Sequence, residues 1–139
     1  MATYHHLIQY YETDKMGITH HSNYVRWMEE ARTHLLAEIG FPYDELEKVG
    51  LISPVVAVSV SYLAPTTFME EVVITVNVEQ VKAAKLKLSY KMRDSSGRMV
   101  CQALSEHSFL DPHHQFVNLK KDFPNFFKAL KLLEGSELG

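Results

Sequence analysis

The chain has one cysteine, Cys101, among its 139 residues. A single thiol cannot close an internal disulfide, and its presence fits a reducing, cytoplasmic setting. No apolar run approaches the ~20 residues that a membrane-spanning helix needs. The opening stretch, MATYHHLIQYYETD, has no basic segment and no long apolar segment, so no signal peptide is read in it. Lys and Arg form no block, and the net charge is −3 with both signs mixed along the chain. This argues against nucleic acid as a partner. Also missing are G-x-G-x-x-G, the P-loop, the G-x-S-x-G elbow, C-x-x-C and H-E-x-x-H. Their absence removes the usual signatures of dinucleotide, nucleotide, serine-hydrolase, redox and zinc chemistry. The eight histidines include the adjacent pairs His5/His6, His20/His21 and His113/His114. Neighbours on a strand point to opposite faces, and neighbours on a helix sit about 100° apart, so neither geometry chelates well. No functional metal site is expected.

Apolar residues make up 46% of the chain. That is enough for one folded domain over residues 1–139 with a core of its own. Thr3 to Tyr11 is rich in β-branched and aromatic residues and predicts a strand. A loop from Glu12 to His21 follows, and Ser22 or Asn23 is placed to cap a helix. Tyr24, Trp27, Met28, Ala31, Leu35 and Ile39 recur at helical spacing, while Arg26, Glu30, Arg32 and Glu38 fall mostly off that stripe. Gly40 and Pro42 stop the helix, and YDELEKVG predicts a short second one closed by Gly50. Then the period changes to two. Val56–Tyr62, Val72–Glu79 and Leu86–Arg93 alternate apolar with polar residues, and Met99–Leu110 follows the turn DSSG. Lys82 to Ala84 predicts a second hairpin link. Short links predict antiparallel neighbours in a meander. Asp122 to Leu133 predicts a C-terminal helix. The class is α+β, with helix and strands segregated in sequence. One long helix covers only part of a five-stranded sheet, so the remaining apolar surface calls for a second copy of the chain.

Among residues able to do chemistry, Cys101 lies mid-strand in an apolar run and reads as a small buried hydrophobe. Lys85, Lys87 and Lys91 read as a solvated strand face, and Phe126/Phe127 as helix packing. Asp14 is different. It follows a strand, precedes a turn at Met16–Gly17, and stands a few residues ahead of a helix start. A helix N-terminus carries free N–H groups and partial positive charge, which suit an oxyanion forming on a carbonyl. A carboxylate beside it can attack that carbonyl or activate water to do so. The spacing alone favours an aspartate that simply caps its own turn.

The segment YYETDKMGITHHSNYVRWMEEAR resembles the signature of the 4-hydroxybenzoyl-CoA thioesterase-like branch of the hotdog-fold superfamily. The matching positions are Tyr11, Thr13, Asp14, Gly17, His21, Asn23, Tyr24, Trp27, Glu29, Ala31 and Arg32. VSVSYLAPTTFMEEVVI resembles the family's next strand, its proline-bearing loop and the strand after it. The resemblance spans Tyr4 to Pro112. It implies a curved antiparallel sheet wrapped around the long helix, and dimers or dimers of dimers with sites between subunits. It also implies hydrolysis of acyl-CoA thioesters without a metal or cofactor.

Carried over, Asp14 is the catalytic carboxylate, and a backbone N–H near His21 is the oxyanion donor. The His21 ring orients the loop or faces substrate. Gly17, Asn23 and Tyr24 shape the pocket. Glu29 is assigned to holding Arg32 or loop backbone, because the helix glutamate serves as base in a different branch. Coenzyme A carries phosphates, so Lys82, Lys85, Arg93 and Arg98, at or near hairpin ends, are candidates to meet them. Two rivals differ in class: an acyl-CoA-binding sensor without catalysis, and a dehydratase acting on acyl-carrier-protein esters through His21.

Overall fold

The computed structural model describes residues 2–135. Its elements run β1 (Ala2–Leu7), a 3₁₀ turn (Tyr10–Glu12), α1 (Ser22–Glu38), α2 (Tyr43–Lys48), β2 (Val55–Tyr62), β3 (Glu71–Lys82), β4 (Lys85–Arg93), β5 (Met99–Ser108), α3 (Leu119–Asp122) and α4 (Pro124–Leu133). The five strands form one antiparallel sheet in the order β1-β3-β4-β5-β2. The expected meander therefore holds only for β3, β4 and β5. β2 pairs with β5, and the chain crosses from it to β3 through Leu63–Glu70.

The period-two pattern sets which face is covered. Val72, Ile74, Val76 and Val78 of β3 and Leu86, Leu88, Tyr90 and Met92 of β4 are buried, and α1 lays Trp27, Met28, Ala31 and Leu35 against that layer. Cys101 is fully buried here, and burial pushes its thiol up to about 11. Phe126 packs into the same core, with Phe127 partly buried against it.

Further expectations need correcting. The first strand ends at Leu7, not Tyr11, because its partner β3 begins opposite it at Glu71. Beyond that the chain curls into the 3₁₀ turn and buries Glu12. Arg32, off the apolar stripe of α1, is nonetheless buried, with its guanidinium 5.5 Å from the Tyr43 ring centre. Finally, β2 has no buried face. Val55, Val56, Val58 and Tyr62 are all exposed and Val60 is only partly buried, since β2 lies at the edge of the sheet and meets α1 only at its Tyr62 end.

The C-terminal segment closes the opposite end of the sheet from Tyr62. The Leu119 N–H donates to Ala83 O, and Glu134 accepts from the Val81 N–H at 2.7 Å. The single expected helix is two, α3 and α4, with Pro124 opening the second.

Candidate active site

The loop between β1 and α1 is a small closed hairpin. Thr13 bridges Thr19, the Asp14 N–H donates to Ile18 O at 2.8 Å, and Gly17 N–H donates to Asp14 O. Gly17 turns the chain with φ +78°, a value that favours glycine. One carboxylate oxygen of Asp14, Oδ1, accepts the Met16 N–H at 2.8 Å, so the turn-capping reading is correct as far as it goes. The second oxygen makes no hydrogen bond among the described residues.

Two clamps fix this hairpin to the β2–β3 crossover. Thr19 donates through N–H and Oγ1 to Thr66 O, and Thr67 Oγ1 donates to Gly17 O at 2.8 Å. Thr66 Oγ1 lies 2.9 Å from the Tyr24 hydroxyl, which ties in α1 as well. Between hairpin, helix start and crossover lies a cleft of about 480 Å³ lined by Asp14, Ile18, Thr19, His21, Tyr24 and residues 62–65. Burial raises the Tyr24 and Tyr62 phenols above their usual range, so both stand protonated in its wall.

Glu12, which the sequence did not single out, anchors the whole arrangement. Its carboxylate accepts from the Gln9 N–H (2.8 Å) and Trp27 Nε1 (2.7 Å), and lies 2.8 Å from His6 Nε2. Burial pushes Glu12 up, but the bonds from Gln9, His6 and Trp27 outweigh it and hold the carboxyl below its usual range. Its carbonyl accepts the His20 N–H at 2.8 Å and Asn23 Nδ2 at 2.9 Å. Asn23 is thus a buried strut between loop and helix and does not line the cleft. Locally Glu12 shows only as the last residue of a capping box with Gln9; its other partners, His6 and Trp27, come from β1 and α1. His5, by contrast, faces away from His6 and meets Glu71 at the surface, as alternation on a strand requires.

At the start of α1, the N–H groups of His20, Ser22, Asn23 and Tyr24 bond to Glu12 O, His20 Nδ1, His20 O and His21 O respectively. The His21 N–H has no such bond among the described residues. His21 lines the cleft with Asp14, and its exposed ring lies 4.3 Å from that of His20.

The four basic candidates do not converge. Lys82 and Lys85 face each other across the β3–β4 hairpin. Arg93 and Arg98 flank the β4–β5 hairpin, roughly 26 Å away at the rise of a strand. Only the arginine end adjoins the cleft, since Leu63 and Ala64 both donate to Val100 O. Arg98 Nε holds Asp94 at 3.1 Å, and Arg93 donates to Gly97 O. Glu29 holds Arg32 at 2.7 Å and does not line the cleft. Ser105 Oγ, 2.7 Å from His107 Nε2, has the spacing of a nucleophile and its base. Both are buried away from the cleft, and burial beside Arg32 drives His107 down to about 3, so this pair is core.

The comparisons with known proteins settle the family. The model of the thioesterase-like superfamily matches residues 8–130. The chain belongs to that superfamily. It is 35% identical over 123 residues to YneP of Bacillus subtilis, provisionally named an acyl-CoA thioesterase, covering 88% of this chain and 89% of that one. A 1,4-dihydroxy-2-naphthoyl-CoA hydrolase of Thermosynechococcus vestitus is 24% identical over 131 residues, 93% of this chain and 90% of that one. Among solved structures, the DHNA-CoA thioesterase of Staphylococcus aureus superposes with a TM-score of 0.90 at 28% identity, over 94% of this chain and 89% of that one. The superfamily's hotdog fold is thus the fold of this chain.

Proposed function

We propose that this protein hydrolyses acyl-CoA thioesters to the free acid and coenzyme A. The observation that carries the reading is one cleft lined by both Asp14, whose second carboxylate oxygen makes no hydrogen bond among the described residues, and His21, whose N–H at the start of α1 is likewise unpartnered among them. The thioester carbonyl oxygen accepts from that N–H, and the helix terminus favours the negative charge it gains. Asp14 attacks the carbonyl carbon or takes a proton from the water that does. On either route the C–S bond breaks and the thiolate leaves, taking up a proton, as coenzyme A; after direct attack the acyl group stays on Asp14 as an anhydride, which water then cleaves to the free acid and the Asp14 carboxylate. The His21 ring and the Tyr24 wall contact substrate, while Gly17 and Asn23 hold the frame. A thiol-release assay over a panel of acyl-CoAs tests the activity and reads out the acyl group. The relatives' names supply aromatic candidates.

The active form on this reading is a homo-oligomer, a dimer or dimer of dimers. β2 offers a free edge of backbone N–H and C=O groups beside exposed Val56, Val58 and Leu63. Such an edge in a soluble protein is ordinarily covered. Light scattering at low micromolar concentration is expected to give a dimer or tetramer. A well-folded, fully active monomer contradicts the assembly.

Arg93 and Arg98, at the cleft end of the sheet, are the proposed contacts for the coenzyme A phosphates. Affinity then weakens as salt rises. Arg98→Ala is expected to raise KM roughly threefold or more with kcat little changed, the pattern of lost ground-state binding. The same change in Lys85→Ala, with Arg98→Ala silent, places the phosphates at the hairpin of a neighbouring copy.

A further inference from the structure

Resting on that reading of the site, we infer that Tyr62 is its positioning residue, a strut that ties the free edge of the sheet to the peptide unit next to the oxyanion donor. Tyr62 is the last residue of β2, and its O–H donates to His21 O at 3.2 Å. That carbonyl also accepts the Tyr24 N–H at 3.2 Å, and as the N-cap carbonyl it stands at the start of the hydrogen-bond ladder of α1. The ring stands edge-on to both neighbours, with centres 5.2 Å from Tyr24 and 6.0 Å from His21. Tyr62 also lines the cleft that holds Asp14.

The helix start needs such a strut. His21 occupies the N-cap position, and its side chain makes no capping bond. A serine or aspartate there would fix the first turn by itself. Here the His21 carbonyl is held by the first turn of α1 and, from outside it, by the Tyr62 hydroxyl. β2, in turn, is paired on one edge only, by β5, a pairing that Leu63 and Ala64 continue to Val100 O, and the Tyr62 hydroxyl adds a bond from its end across the cleft. One phenol joins the two. It sets the cleft width and the direction of the His21 N–H together, and it makes the site sensitive to whatever covers β2.

The exposure of Tyr62, 47%, separates this role from a core role. Losing the hydroxyl from an exposed bond leaves the fold intact, while a displaced donor costs rate. The test compares Tyr62→Phe, Tyr62→Leu and Asp14→Asn by steady-state kinetics on the best acyl-CoA of the panel, with Tm and light scattering on each. Tyr62→Phe is expected to lower kcat about five- to tenfold and to leave KM, Tm and assembly near wild type. Tyr62→Leu, which also removes the wall, raises KM in addition. A wild-type kcat in Tyr62→Phe beside an inactive Asp14→Asn overturns the role of Tyr62 and leaves the site standing. So does a fall in kcat that merely tracks a loss of Tm or of assembly. A full rate in Asp14→Asn overturns the site itself, and the strut with it.

Discussion

Asp14→Asn is expected to cut turnover by at least ~10²-fold, the low end for loss of a general base, and by more if Asp14 is the nucleophile. The substitution keeps the size of the side chain. Asn Oδ1 still accepts the Met16 N–H that Asp14 Oδ1 holds at 2.8 Å, so the hairpin and the cleft survive. Substrate still binds, since Asp14 is not what holds the ground state, and KM changes little. Glu29→Gln is the matched control. Glu29 pairs with Arg32 at 2.7 Å and stands outside the cleft, so its loss is expected to be far milder. A wild-type rate in Asp14→Asn alongside an inactive Glu29→Gln assigns the chemistry to the other carboxylate.

The second large effect is expected at Glu12. This carboxylate is buried and engages the Gln9 N–H, Trp27 Nε1 and His6 Nε2. Glu12→Gln puts an amide NH₂ among those donors and removes the charge. The expected cost is about 3 kcal/mol, as for a broken buried charged network. For a chain of this length that is a fall in Tm of roughly 10 °C. The sign of its pH dependence follows from the carboxyl lying below its usual range when folded. Glu12 contributes fully above the ordinary carboxylate pKa, and its contribution disappears as pH falls through the lower, folded value. The gap between wild type and Glu12→Gln therefore narrows in acid, which thermal melts over an acidic pH series would show. Turnover falls too, because the Glu12 carbonyl holds the His20 N–H and Asn23, between which the His21 N–H sits.

The fold was legible where side-chain periodicity decides it. Alternation over β3 and β4 marked their buried faces correctly, and the stripe Tyr24–Leu35 marked the face of α1. Alternation does not say which strand is a neighbour. β2 carries the same pattern as β3 yet pairs with β5 and stays exposed, because position in the sheet is a long-range property. Asp14, Gly17 and His21 were visible because a turn and a helix start leave local marks, and a family motif overlies them. Thr66 and Tyr62 left no such mark, and Glu12 left only its capping box with Gln9. Each acts through partners distant in sequence: Glu12 with Trp27, Thr66 with Thr19, Tyr62 with His21. The burial of Arg32 is long-range in the same way. Its helical position looks solvent-facing until Ser53 and Tyr43 fold over it.

The most direct measurement is the product balance of the wild-type protein on an acyl-CoA, with free thiol and free acid counted in the same reaction. The account predicts one coenzyme A thiol and one carboxylic acid for each thioester consumed, formed catalytically without added metal or cofactor. Loss of water from the acyl chain with the thioester intact, or saturable binding with no thiol released from any member of the panel, would contradict it.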